Sequence, residues 1–228
     1  DSLAERLREE RVRAIIQPIL AGVELPETPE DDRRFVLDLG LVKRSPQGGL
    51  VIANPIYREV IPRVLAQGPQ DSLPQIQPTW LGSAGVLDPD ALLQAFLDFW
   101  RQHGQPLLKS TPYPEIAPHL VLMAFLHRVV NGGGSLEREY AIGSGRMDIC
   151  LRYGQVTLGL ELKVWKAARP DPLAQGLEQL DRYLAGLGLD QGWLVIFDQR
   201  PDLPLLEERT TASVVTSPGG RRVTVIRG

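Results

Sequence analysis

A single cysteine, Cys150, excludes an intramolecular disulfide, and its place in an apolar run reads as a buried thiol in a reducing compartment, the cytoplasm. Neither His103 nor His119 has a Cys or His partner at zinc spacing, so a surface or helix-end role is the default for both. No apolar run approaches the ~18 residues that a membrane helix requires, and no basic segment precedes an apolar one in the manner of a signal peptide. The sequence is therefore expected neither to span a membrane nor to be secreted. The net charge is −3, so no global basic field announces nucleic acid, and any such contact must be local. No GxxxxGK[ST] phosphate loop occurs, which leaves ATP hydrolysis unassigned here. The chain begins without methionine, which reads as a piece of something longer. What remains is a 228-residue chain with 43% hydrophobic residues, enough for one large domain or two small ones.

The stretch SGRMDICLRYGQVTLGLELKVWK, residues 144–166, organises the rest. Met147, Ile149 and Leu151 alternate with Arg146, Asp148 and Arg152, the pattern of a strand with one buried face. After the turn Tyr153-Gly154-Gln155 a second strand runs from Val156 to Val164. Leu158, Leu160, Leu162 and Val164 share one side, and Gly159, Glu161, Lys163 and Trp165 share the other. A carboxylate and an ammonium two residues apart on an apolar strand, next to a second carboxylate on the preceding one, are costly if buried dry and therefore suggest a site. The chemistry that fits is metal-assisted phosphodiester hydrolysis. Asp148 and Glu161 offer the oxygens that Mg²⁺ or Mn²⁺ favours, and Lys163 can orient water and offset transition-state charge.

Asp148, twelve intervening residues and Glu161-Leu162-Lys163 resemble the D…(D/E)xK signature of the PD-(D/E)xK nuclease superfamily. Gln179-Leu180-Asp181-Arg182-Tyr183 is similar to the QxxxY pattern of its RecB-like branch. Gly145-Arg146-Met147-Asp148 resembles the recurrent Gly-Arg-x-Asp entry, with methionine where the signature's leading proline would stand. The resemblance implies an α/β fold with a restriction-endonuclease-like αβββαβ core. It also implies catalytic roles for Asp148, Glu161, Lys163, Gln179 and Tyr183, with Mg²⁺ or Mn²⁺ on the two carboxylates and DNA as substrate. Many members carry a further acidic residue on the first core helix, a place that Glu115 could fill.

Residues 1–67 read as helix, helix and hairpin, an N-terminal winged-helix module. Ser2 could cap a helix through Leu3, Leu7, Val12, Ile15 and Ile16, with Pro18 and Gly22 interrupting its continuation. A second helix is expected near residues 30–39, and strands near 41–43 and 50–53. DLGLVKRSPQGGLVIANPIYREVIPRVL resembles the winged helix after the ATPase core of bacterial AAA-type ATPases, which commonly end in a PD-(D/E)xK domain. That implies an ATPase domain upstream as a partner. Arg33, Arg34, Lys43 and Arg44 could contact DNA, but Glu30, Asp31, Asp32 and Asp38 intersperse them, and the charge balance favours a structural role. Residues 68–112 are expected to be a Pro/Gly-rich linker and an approach helix from Asp88-Pro89, whose Phe96 and Trp100 stripe reads as core.

Residues 113–228 make the nuclease-like domain: a buried helix over 115–130, strands at 135–142, near Asp148 and at 156–164, an amphipathic helix over 173–184, and a buried parallel strand, GWLVIFD. A closing hairpin, 212–216 and 222–226, ends it. Several roles stay open on the residues alone. Glu115 either faces the site or caps its helix. Arg146 steers phosphate or pairs with Glu137 or Glu139. Lys166 and Arg169 contact nucleic-acid phosphates or form a solvated cluster. The expected function is a metal-dependent deoxyribonuclease, with a non-catalytic DNA-binding or regulatory domain of an ATPase as the alternative; a homodimer would be needed for one-site chains to cut both strands.

Overall fold

The computed structural model describes residues 2–21, 24–82, 85–142 and 145–228, with the side chains of 138–147 outside that description. The chain divides into two compact units, residues 1–73 with 107–124, and residues 74–106 with 125–228. The cut at 73–74 falls in a stretch without helix or strand, and the cuts at 106–107 and 124–125 fall inside two helices.

In the first unit, Ser2 and Glu5 form a reciprocal capping box that starts the single turn α1 (Leu3–Arg6). The expected long helix is broken there and resumes as α2 (Glu10–Ala21), which continues through Pro18 rather than stopping at it. Proline removes one intrahelical hydrogen bond, and the buried Val12, Ile15 and Ile16 hold the helix against that loss. α3 (Glu30–Asp38) packs on α2 and precedes an antiparallel hairpin, β1 (Val42–Arg44) and β2 (Leu50–Ile52), paired with Lys43 opposite Val51. Asn54 caps α4 (Pro55–Asp71) by accepting the Tyr57 N–H at 2.8 Å. α4 carries Pro62 and Pro69 inside it, so the residues expected to open a linker are helical; both proline rings are buried, and packing outweighs the lost bonds.

The second unit is a mixed α/β assembly on one six-stranded sheet, ordered β3-β4-β5-β6-β8-β7. α5 (Pro89–Ser110) begins where the Asp88 carboxylate accepts the Asp90 N–H, and α6 (Ala117–Val130) follows; residues 107–110 of the former and 117–124 of the latter belong to the first unit. Then come a meander, β3 (Gly134–Ile142), β4 (Gly145–Tyr153) and β5 (Val156–Trp165), the helix α7 (Leu173–Leu187), and β6 (Gln191–Asp198), parallel to β5. A short turn, α8 (Leu206–Arg209), leads to β7 (Thr211–Thr216) and β8 (Arg222–Arg227). The closing hairpin does not merely follow the core. β8 is inserted beside β6, parallel to it, and leaves β7 on the edge. The reason lies in burial: Val223 and Val225 on one face and Thr224 and Ile226 on the other are all buried, whereas β7 is largely exposed.

Register assigns the two sheet faces. Cys150 pairs with Gly159, Gly159 with Gly192, Glu161 with Leu194, Lys163 with Ile196, and Leu194 with Val225. Paired residues share a face. On this face Leu180 and Leu184 of α7 form a core with Cys150, Leu194, Ile196, Val223 and Val225. The other face carries Leu160, Leu162, Trp193, Val195 and Phe197, and Trp100 of α5 meets Phe197 at 5.2 Å between centroids, so the aromatic stripe is core as expected. α7 approaches β6 closely because Gly176 has no side chain; a Cβ there would lie 2.6 Å from Leu194 Cδ1. Gly188 ends the helix at φ 66°, which lets Leu189 N–H reach Leu184 O at 2.9 Å.

No helix among the described residues is long and apolar enough to cross a membrane.

Candidate functional site

The face under α7 is apolar except where β4 and β5 part. Their last paired residues in this direction are Ile149 and Leu160. One step beyond, the side chain of Asp148 takes the place of a strand carbonyl: its Oδ2 accepts the Leu162 N–H at 2.8 Å. Asp148 therefore stands across from Glu161, on the face it shares with Cys150. Two strands placed by period-2 burial thus deliver two carboxylates to one spot.

Glu161 is only 3% exposed. Its Oε1 accepts from Lys163 Nζ at 2.6 Å, and among the described residues its buried Oε2 has no hydrogen-bond partner. Burial first, and then the neighbouring Asp148 charge, push its pKa up to about 7, while Lys163 and Arg182 pull in the opposite direction. A glutamate held at that point can gain or lose its charge near neutrality. Lys163 sits two residues along the same strand, its side chain 18% exposed, and so joins the buried carboxylate to the open end of the sheet.

α7 closes this face, packing on β4, β5 and β6. Gln179 and Tyr183 are both half-buried; Tyr183 packs against the apolar core, and the Gln179 Oε1 is buried without a hydrogen-bond partner among the described residues. The two charged residues between them have separate work. Asp181 accepts from Ser217 Oγ and from Arg221 Nη1, the latter at 3.0 Å, fastening α7 to the β7–β8 turn. Arg182 acts electrostatically on Glu161.

Of the residues singled out in the sequence, Asp148, Glu161 and Lys163 come together, and Gln179 and Tyr183 lie on the helix above them. Glu115 belongs to the first unit, half-buried in the turn ahead of α6, whereas the constellation is assembled in the second. The Arg146 side chain lies outside the described residues. What faces Glu137 is Arg152, with Nε 3.7 Å from Oε1. Lys166 and Arg169 follow β5 in a loop whose Arg169 carbonyl accepts the Trp165 Nε1–H at 3.0 Å; Arg169 itself is exposed. Sequence reasoning missed Arg182, although it stands inside the QLDRY run three residues after Gln179, and it missed Arg200, whose guanidinium lies 3.6 Å from the Trp165 ring centroid. No local spacing signals Arg200, because a parallel crossover separates it from Trp165.

Among the described residues no three His, Cys, Asp or Glu side chains cluster as a metal cage. The donor set is two carboxylates, one of them carrying an orphaned oxygen. That suits a hard divalent cation which keeps several waters. No protein-family profile, curated protein or solved structure matches this chain.

Proposed function

We propose that this chain is a metal-dependent nuclease of the PD-(D/E)xK type, hydrolysing DNA phosphodiester bonds. The single observation that carries the reading is the buried, orphaned Oε2 of Glu161 beside the Asp148 carboxylate and the Lys163 ammonium. A buried carboxylate beside a second one contributes nothing to stability that an apolar pair would not exceed, whereas the two are a ready receptor for a divalent cation. The element order α6-β3-β4-β5-α7-β6 supports a restriction-endonuclease-like assignment of the stretch from α6 to β6, and α2-α3-β1-β2 supports a winged-helix assignment of the N-terminal stretch.

Asp148 and Glu161 would hold the ion, Mg²⁺ or Mn²⁺. Bound there, it would supply Lewis-acid polarisation of a phosphoryl oxygen and a water of lowered pKa. The protein's own residues prepare the rest. The Leu162 N–H fixes the Asp148 carboxylate in position. Lys163 balances Glu161 before the substrate arrives, then has its ammonium available for a non-bridging oxygen or the attacking water. Gln179 offers an amide at the same covered face, and Tyr183 anchors the helix that carries it. An upstream ATPase domain, a cytoplasmic setting and a homodimer belong to the same proposal.

The test is cleavage of labelled single-stranded, duplex and branched DNA with Mg²⁺ or Mn²⁺, by the chain and by Asp148→Ala and Lys163→Ala. Metal-dependent cutting that falls about 100-fold or more in both variants is the expected result. Equal DNA binding with no cutting in all three proteins would sink the hydrolytic reading in favour of a non-catalytic binding domain.

A further inference from the structure

Glu161, Lys163 and Trp165 alternate along β5 on one face, and beyond them the carboxyl ends of the parallel strands gather a second group of residues. Trp165 pairs with Asp198 of β6, and Arg227 of β8 lies on the same face. Asp198 grips Arg200 with both oxygens, Oδ1 accepting from Nε at 2.9 Å and Oδ2 from Nη2 at 2.7 Å. That grip holds the guanidinium over the Trp165 ring, 3.6 Å from its centroid. Arg227 approaches the same ring at 5.6 Å and bonds Asp171 at 2.8 Å. Lys166 and the exposed Arg169 lie in the loop that begins at this ring.

Two features separate this cluster from an ordinary surface network. Lys166, Arg169, Arg200 and Arg227 outnumber the carboxylates of Asp171 and Asp198, in a chain whose net charge is −3. The Arg200 side chain is also still 38% exposed, although its guanidinium carbon lies over the tryptophan ring and its edge is held by a bidentate carboxylate. A guanidinium gripped along its edge, close over an aromatic ring and still part-exposed is a platform for a nucleobase. Only an unpaired base can present its face to such a platform, and the flanking phosphates need the cations beside it.

We infer that the carboxyl end of β5 and β6 binds single-stranded nucleic acid, with an unpaired base stacked on Arg200 and adjacent phosphates taken by Arg169 and Lys166. The inference rests on the nuclease reading for its purpose, since the same face leads from Trp165 through Lys163 to Glu161, and it makes a single strand or a frayed end the form delivered to that site.

The experiment measures binding in chelator, where nothing is cut. A labelled oligo-dT of about 15 nucleotides carrying one 2-aminopurine is titrated into the chain, Arg200→Lys and Arg169→Gln, with a blunt duplex of equal length beside it. Arg200→Lys keeps the charge and the reach to Asp198 but has no plane. The chain is expected to prefer the single strand and to quench 2-aminopurine. Arg200→Lys should weaken the single strand about tenfold, lose the quench, and leave duplex binding within about twofold because its charge is kept. Arg169→Gln should weaken both and reduce the salt slope on the single strand by about 0.7. Wild-type affinity and quench in Arg200→Lys, or a preference for duplex, would overturn the inference. Failure of hydrolysis is a separate outcome: binding and quenching by a chain that never cuts with Mg²⁺ would leave the platform standing and remove the enzyme.

Discussion

Lys163 Nζ lies 2.6 Å from Oε1 of Glu161, two residues away on the same strand face, and the other oxygen of that carboxylate has no hydrogen-bond partner among the described residues. The pair is half satisfied. Lysine neutralises the glutamate in charge without occupying both of its oxygens, so the ion pair leaves room for a further cation while limiting the cost of burial.

That arrangement makes stability fall with rising pH. Glu161 has a folded-state pKa of about 7, above its ordinary value near 4.5, so the folded chain keeps a proton that the unfolded chain has lost. Its contribution is fully present below about pH 4.5 and is lost as pH rises through about 7. In chelator, Glu161→Gln should therefore leave the melting temperature unchanged in acid and raise it at about pH 8, a stabilisation of up to ~3 kcal/mol. Thermal melts at the two pH values check this. A parallel loss of stability at both would place the effect in packing instead.

Divalent ions should act on the same group in the opposite sense. Mg²⁺ or Mn²⁺ is expected to raise the melting temperature of the wild-type chain, increasingly so above about pH 7, through binding to the ionised carboxylates. Asp148→Ala and Glu161→Gln should each abolish most of the shift, a result that differential scanning fluorimetry reads without any substrate.

Lys163→Met should uncover the cost that lysine offsets. The Glu161 carboxylate would remain beside Asp148 with no cation on Oε1, so the variant is expected to lose on the order of 2 kcal/mol at about pH 8 and much less in acid, where the glutamate is neutral. Urea unfolding at both pH values gives the difference directly.

Gly176 is the contact point of α7 with β6. Gly176→Val should destabilise the second unit by about 1–3 kcal/mol, since a Cβ at that position meets Leu194 at 2.6 Å. Asp181→Ala should cost about 1–2 kcal/mol by leaving the buried Ser217 hydroxyl without its acceptor and the Arg221 guanidinium with the Leu189 carbonyl alone. Both are read by chemical denaturation, and the second should also speed amide exchange in the β7–β8 turn.

The legible parts of this chain are those where a local period decides the structure. Alternation placed Glu161 and Lys163 on one face of β5, the four-residue steps placed Gln179 and Tyr183 on one side of α7, and glycine between strands marked the meander. The alternate possibilities at Pro18 and Pro69 were settled by burial, since a single lost hydrogen bond weighs less than an apolar flank. Residues 68–71 are helical for that reason, whereas 73–78 carry neither helix nor strand. The helix expected without a break after Ser2 is instead divided between Arg6 and Glu10.

By itself, then, the sequence determined the strands of the meander, the helix α7 and which residues of each share a side, because those properties arise from steric periods of two and 3.6 residues. Only the tertiary structure decided that Asp148 replaces a ladder carbonyl on Leu162, that burial lifts Glu161 toward neutrality, that β8 enters between β6 and β7, and that the Arg200 guanidinium lies over Trp165. Each of these depends on desolvation or on contacts between segments far apart in the chain, and neither is encoded in any local spacing.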